Sequence, residues 1–299
     1  MPAAKRVEVE IDGRTLSLSN LDKVLYPQAG FAKGHVIDYY TRVSPVLLPH
    51  LRGRPLTLKR YPNGVDGGHF YEKQCPSHRP DWVETSLIGD INFCVANSLP
   101  TLVWLANLAD LELHTSLALA EDYGTPTVIA FDLDPGPPAT IVECAEVALD
   151  LRLVFEHLGM EAFPKTSGSK GMQVYVPLNT PTSYDVTRPF ARGLAELLER
   201  RRPELVVSEM KKSVRGGKVF VDWSQNTSFK TTVCVYSLRA RPQPTVSTPL
   251  TWEEVAAVTD SRDPDDLVFT SADVLERVAE HGDLFAGVLD LRQTLPESL

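Results

Sequence analysis

Asp132 and Asp134 stand two residues apart at the end of an apolar run, Val128-Ile129-Ala130-Phe131. On a strand, residues two apart face the same way. Two carboxylates on one face repel each other unless a cation lies between them. Hard divalent ions such as Mg²⁺ or Mn²⁺ take carboxylate oxygens and keep positions open for phosphate. Asp222 ends a second apolar run, Val219-Phe220-Val221, and offers a third carboxylate. Carboxylates on neighbouring strands can hold paired ions a few ångströms apart, the arrangement phosphoryl transfer uses. Read by spacing alone, Asp-x-Asp also serves as a turn cap. The preceding apolar run weighs toward a metal, because burial makes bare carboxylates costly.

A second signal is Lys165-Thr166-Ser167-Gly168-Ser169-Lys170-Gly171. A Ser/Gly-rich turn leaves backbone N–H groups free, and Ser and Lys add donors and charge, so such a loop suits a phosphate chain. It lacks the GxxxxGK[ST] pattern of a P-loop. Asp222 is followed by Trp223-Ser224-Gln225-Asn226, then Lys230-Thr231-Thr232 and Ser237-Leu238-Arg239. Arg239 is placed to offset phosphate charge or to form an ordinary ion pair. Nearer the N-terminus, Arg54, Lys59, Arg60 and Tyr61 precede Phe70, Tyr71 and Lys73. Cations interleaved with aromatics suit base stacking beside a charged backbone. Tyr61 reads as core, Phe70-Tyr71 as more exposed.

The elements that would position these residues follow from periodicity. Val7, Val9 and Ile11 alternate with charges up to Asp12-Gly13, and Leu16 and Leu18 resume the alternation, which predicts a hairpin. Asn20 is expected to cap a short helix containing Lys23. Helical spacing over 35–51 is expected to kink or end at Pro45. Residues 53–71 read as extended, 92–113 as a strand or turn and then a buried helix. Strands are expected at 128–131, 173–176, 219–222 and 230–236. Helices are expected from Ile141 to Leu158, closed by Gly159, from Val186 to Leu198, and over most of the last fifty residues. The simplest architecture is one α+β domain over 1–299 with a central sheet and a small N-terminal lobe within 1–115.

The chain has 299 residues, with 30 Lys+Arg against 39 Asp+Glu and a net charge of -9. That excludes a polycation coating nucleic acid indiscriminately; any such contact must be a local basic patch. The cysteines, Cys75, Cys94, Cys144 and Cys234, form no CxxC pair, which argues against a zinc ribbon. Their scatter suits a reducing, cytoplasmic compartment, and Cys75 reads as a loop cysteine. No signal-length apolar segment opens the chain, and the most apolar stretch, 95–113, is too polar to span a bilayer.

Together and in this order, the motifs resemble the polymerase domain of bacterial DNA ligase D, in the archaeo-eukaryotic primase superfamily. The matching segments are LSNLDKVLYP, KGHVIDYYTRVSPVLLPHLRGRPLTLKRYP, GGHFYEKQCPSHRPDW, WLANLADLELH, FDLDPG, KTSGSKGMQVYVPL and VFVDWSQNTSFKTTVCVYSLRARP. The resemblance implies a primase-like α+β core with a central mixed or antiparallel sheet flanked by helices. It implies a polymerase that extends 3′ ends at gaps or double-strand breaks in end-joining repair and uses ribonucleotides readily. Asp132, Asp134 and Asp222 would bind two Mn²⁺ or Mg²⁺ ions, with Asp222 also beside the primer hydroxyl. Lys59, Phe70, His114, Ser167, Lys170, Gln173, Gln225 and Arg239 match nucleotide-side positions. Lys23, Lys33, Arg54 and Tyr71 match DNA-side positions, the first two facing a 5′-phosphate. The expected partners are DNA with gaps or broken ends, NTP or dNTP, Ku and a separate ligase, in a nucleoid-associated cytoplasmic setting without a membrane. The chain carries no ligase or nuclease motif, so a stand-alone form is expected.

One departure stands out. The pattern SGxKGxH ends here in Gln173, which is neutral yet still donates through its amide. It raises the alternative of a non-catalytic, or weakly active, DNA-end-binding module. A further alternative is a haloacid-dehalogenase-type phosphatase, from the likeness of FDLDPG to its nucleophile strand, although Pro135-Gly136-Pro137 replaces the turn expected there.

Overall fold

The computed structural model describes residues 6–296 and folds as two compact α+β units. The first takes the described residues up to Thr115, with Val233–Val246 and Thr270–Gly282. The second takes Ser116–Thr232, Ser247–Phe269 and the described residues from Asp283 onward. Each unit has its own sheet, where the sequence pattern pointed to one central sheet.

In the second unit five strands run in the order Phe163–Thr166, Met172–Pro177, Val128–Pro135, Val219–Asp222, Val206–Val207. All neighbours are antiparallel except the last pair, so the sheet is mixed. Alternation sorts its side chains cleanly. Ile129, Phe131, Leu133, Met172, Val174, Val176, Val219 and Val221 enter one apolar core. Helices Ile141–His157, Tyr184–Arg201 and Trp252–Ser261 supply the other wall of that core. The first of these is capped by Thr140, whose hydroxyl and backbone exchange hydrogen bonds with the helix start and Glu143. A one-residue register slip would turn every carboxylate of the sheet into this core, so burial of one face dictates where the other points.

In the first unit, Asp110–Thr115, Pro55–Arg60, Ile91–Val95 and Thr85–Ile88 lie side by side, and Phe70–Glu72 also pairs with Pro55–Arg60. The expected hairpin forms as Arg6–Ile11 and Arg14–Ser19, with Asp12 and Gly13 at positive φ.

Several expectations change. Asn20 caps no helix: it sits at φ 53°, and a turn leads into strand Val24–Tyr26. The helix Lys33–Leu51 runs through Pro45. Proline has no N–H for the Thr41 carbonyl, but the Ser44 hydroxyl donates to it at 2.8 Å. The apolar stretch 95–113 divides into helix Leu99–Asn107 and strand Asp110–Thr115, separated by Ala109 at φ 57°. The strand expected at 230–236 shrinks to Thr232–Val233, and Tyr236 takes a positive φ. Cys75 is not a free loop cysteine: it forms a disulfide with Cys94, with Cα atoms 4.9 Å apart. The contact is tertiary, set by the Cys75 N–H bonding the Asn92 carbonyl beside the Cys94 strand. Cys144 and Cys234 are free and buried. Among the described residues no helix is long and apolar enough to cross a membrane.

Candidate active site

Four side chains form a row across the sheet of the second unit. Lys165 lies opposite Gln173, Gln173 opposite Asp132, and Asp132 opposite Asp222. Directly opposed residues share a face, so the whole row points away from the apolar core. Asp134, two residues beyond Asp132, shares that face and lies opposite Phe220. The structure thus brings the three predicted carboxylates onto one face of two neighbouring strands.

Each carboxylate is oriented differently. Asp222 is buried. Its Oδ1 accepts from the Ser224 N–H at 2.9 Å and the Ser224 hydroxyl at 2.5 Å, its Oδ2 from Gln225 Nε2 at 3.0 Å. Lys230 Nζ stands 3.8 Å from Oδ2 and also donates to Ser224 Oγ. Asp132 is half-buried and accepts from Gln173 Nε2 at 3.1 Å, while Asp134 is exposed. In these rotamers no three acidic, His or Cys side chains among the described residues stand at ligating distance from a common point. Like charges with donors of their own to meet turn toward those donors.

The electrostatics still call for a cation. Burial, then Asp134 and Asp222, push the Asp132 carboxyl up to about 7, against the opposing hydrogen bond of Gln173 and charge of Lys165. A divalent ion fits this donor set, which offers hard oxygens on one face with charge in excess of the local cations.

The predicted phosphate loop joins Phe163–Thr166 to Met172–Pro177. Ser167 Oγ accepts from the N–H groups of Ser169 and Gly171, both at 3.2 Å, and the Ser167 N–H bonds the Gly171 carbonyl at 2.9 Å. Gly168 is at φ 67°. At Gly171 a Cβ would lie 2.0 Å from the Leu133 carbonyl oxygen, so only glycine lets the loop lie against the Asp132–Asp134 strand. Lys170 is exposed at the loop tip.

The first unit holds a second cluster, and its centre is a residue the sequence reading passed over. Glu112 is 2% exposed. Its carboxylate contacts Lys59 Nζ at 3.1 Å, His114 Nε2 at 3.1 Å, Arg239 Nε at 3.2 Å and the Tyr61 hydroxyl at 3.0 Å; the Ala240 N–H also donates to it, at 3.1 Å. Burial alone would raise the Glu112 pKa. The His114 hydrogen bond and the charges of Arg239 and Lys59 outweigh it and hold the carboxyl well below its usual range. Burial lowers the His114 pKa, helped by Arg239 and Lys59 and opposed by Glu112. Two cations, Lys59 and Arg239, are therefore brought together with the His114 imidazole around one carboxylate. Phe70 and Tyr71 are exposed beside it, with Arg60 over the Phe70 ring at 5.2 Å and Lys59 over Tyr71 at 5.5 Å.

The N-terminal cations separate. Lys23 is exposed, with Nζ 3.4 Å from Asn63 Oδ1, and Arg54 is half-buried. Lys33, expected at a 5′-phosphate, is buried. Its ammonium donates to Ser19 Oγ at 3.2 Å and the Asn107 carbonyl at 3.0 Å, and burial followed by the charge of Lys23 lowers its pKa to about 8. Two of the three ammonium donors of Lys33 are thus engaged in tertiary bonds that hold it within reach of the charge of Lys23. Gln225 Nε2 donates to Asp222 Oδ2 at 3.0 Å, which places it beside the carboxylate row. Besides Glu112, Lys165 was missed as a site residue: only its placement in a four-strand row reveals it. For Glu112 the alternation Asp110-Leu111-Glu112-Leu113-His114 pointed to a solvated face, and only the fold buries both faces of that strand.

Comparison with known proteins gives a consistent result. The model of the LigD primase-polymerase domain matches residues 32–285. The multifunctional non-homologous end joining protein LigD of Mycolicibacterium smegmatis is 44% identical over 275 residues, covering 90% of this chain and 35% of that protein. The bifunctional non-homologous end joining protein LigD of Bacillus subtilis is 33% identical over 268 residues, covering 89% of this chain and 43% of that protein. The chain thus spans well under half the length of these relatives. The solved polymerase domain from Mycobacterium tuberculosis ligase D, in complex with DNA, superposes with a TM-score of 0.85 at 40% identity, covering 92% of this chain and 98% of that one.

Proposed function

The chain belongs to the LigD primase-polymerase family, and on that premise we propose that it is a divalent-metal-dependent nucleotidyltransferase extending 3′ ends of DNA at gaps or double-strand breaks in end joining. The observation that carries this reading is the register Asp132↔Asp222, with Asp134 on the same face. Asp132, Asp134 and Asp222 would hold two Mn²⁺ or Mg²⁺ ions, which when bound supply charge neutralisation for the triphosphate and a more acidic primer hydroxyl.

The chain's own groups account for the rest. Asp222, aimed by Ser224 and Gln225, presents a fixed acceptor to the primer 3′-hydroxyl. The Ser167–Gly171 loop and Lys170 offer donors to the phosphates. Lys59 and Arg239, gathered on Glu112 with the His114 imidazole, would offer charge and donors to nucleotide phosphates. Phe70 and Tyr71 offer faces for base stacking. Lys23 and Lys33 would meet a 5′-phosphate and Arg54 the DNA backbone, so binding weakens steeply with salt. Base pairing with a template selects the nucleotide, NTP or dNTP. An end-binding protein of the Ku type and a ligase activity would act on the same ends. The family match disfavours both the binding-only and the phosphatase readings.

The direct test is extension of a gapped, 5′-phosphorylated duplex with Mn²⁺ and either NTPs or dNTPs. Nucleotide addition is expected for the parent and none for Asp132→Ala/Asp134→Ala. A double variant that extends like the parent would sink the assignment.

A further inference from the structure

Lys165 is fully buried and sits on an edge strand. Its Nζ reaches Gln173 Oε1 at 2.5 Å and Ser247 Oγ at 2.7 Å, and lies 5.4 Å from the centre of the Tyr175 ring. Burying an ammonium is expensive unless its donors are met. The position of this one is explained by what lies beyond its partners.

The polarity of the network is determined from its outer end. The Ser247 hydroxyl donates to the Thr166 carbonyl at 2.9 Å, so its oxygen is left to accept from Lys165. Lysine only donates, so Gln173 must turn its amide oxygen to Lys165. That leaves the Gln173 NH₂ facing Asp132 Oδ1, at 3.1 Å. The reverse orientation would set NH₂ against ammonium and oxygen against carboxylate, two repulsive contacts in a buried site. Lys165, Gln173 and Asp132 stand directly opposite one another in successive strands, so the sheet holds them in register.

We infer that Lys165 and Gln173 are positioning residues for Asp132: Lys165 locks the Gln173 amide, and the locked amide aims the Asp132 carboxylate at a divalent cation. The inference rests on the reading of Asp132 as a metal ligand and gives Gln173 a role other than direct nucleotide contact. It also explains why glutamine can stand where the resembling motif has histidine. A neutral imidazole has one acceptor and one donor nitrogen, and so preserves the direction of the chain from Lys165 to Asp132. Methionine, of similar volume, has no donor and cannot.

The test is Mn²⁺ affinity of the purified protein, read from the free-Mn²⁺ paramagnetic resonance signal without DNA or nucleotide, beside extension kinetics and thermal unfolding. Outer-shell hydrogen bonds to metal ligands are typically worth about 10- to 100-fold in affinity. Gln173→Met is expected to weaken Mn²⁺ binding by about that factor and to lower kcat. Gln173→His is expected to stay within a few-fold of the parent. Lys165→Met is expected to weaken Mn²⁺ binding in the parent background and to add little on top of Gln173→Met, because it acts through Gln173. Unchanged Mn²⁺ affinity in Gln173→Met, with only the nucleotide KM raised, would overturn the inference in favour of direct nucleotide contact. Full additivity of the two substitutions would overturn the coupling. Asp132→Ala separates the levels: if it too leaves Mn²⁺ binding unchanged, the metal assignment falls along with the inference.

Discussion

The two polar clusters are electrostatic opposites. On the sheet of the second unit, three carboxylates face the same way with Lys165 and Lys230 nearby, and Asp132 is pushed up to about 7. In the first unit a single carboxylate, Glu112, is met by Lys59, Arg239 and His114, and its pKa is driven down. The carboxylate row has negative charge in excess of its local cations; around Glu112, two cations meet one carboxylate. The contrast teaches that a carboxyl on a buried strand is pushed up or driven down according to the charges gathered around it.

The largest effect should come from the carboxylate side. Asp222→Asn keeps the hydrogen-bonding shape near Ser224 but removes the charge, and is expected to cut extension at least about 10³-fold with the fold intact by circular dichroism. Near-parental kcat would break the comparison at its root. On the other side, Glu112→Gln leaves Lys59 and Arg239 facing each other around a neutral amide. Breaking a buried ion cluster typically costs about 3–5 kcal/mol, so urea unfolding should show a loss of that order together with a raised nucleotide KM.

The first unit alone is braced covalently among the described residues, by Cys75–Cys94. Cys75→Ser/Cys94→Ser is expected to lower stability by about 2–4 kcal/mol, while Mn²⁺ affinity, a property of the second unit, stays unchanged. Arg239→Gln removes one of the two cations around Glu112. A charge-assisted contact of about 1.5–3 kcal/mol predicts a nucleotide KM raised about ten- to a hundred-fold, with Mn²⁺ affinity again unaffected.

The smallest effect is in pH dependence, and the two clusters give opposite slopes. A carboxyl raised in the folded state holds a proton that the unfolded chain releases, so the Asp132 contribution to stability falls as pH rises from about 4 to about 7. A carboxyl lowered in the folded state does the reverse: the Glu112 contribution is present above the unfolded value and fades on acidification. Thermal melts of the metal-free protein from pH 4.5 to 7.5 should therefore show a declining component that Asp132→Asn abolishes and added Mn²⁺ offsets. A slope unchanged in Asp132→Asn would show that the carboxylates do not crowd one another as described.

Much of the fold was legible because local pattern and burial agree. The alternation around Phe131 and Leu133, the Thr140 cap with Glu143, and the Asp12-Gly13 turn all dictate their elements through nearest-neighbour chemistry. Where a local rule had a tertiary or side-chain answer, the reading failed. Pro45 does not end its helix, because Ser44 satisfies the carbonyl that proline leaves open. Cys75 finds Cys94 only once the chain has folded back on its strand. Lys33 looks like any surface lysine until Ser19 and Asn107 close over it.

By itself the sequence determined which residues carry charge and which face of each strand they occupy, since side-chain alternation is a property of the strand alone. It thereby determined that Asp132 and Asp134 share a face and that a Ser/Gly loop precedes Gln173. Only the tertiary structure decided the partners: that Asp132 stands between Asp222 and Gln173, that Gln173 is held by Lys165, and that Glu112 gathers Lys59, His114 and Arg239. Strand order and register arise from burying one apolar face of the whole sheet, a sum over distant segments that no local window contains.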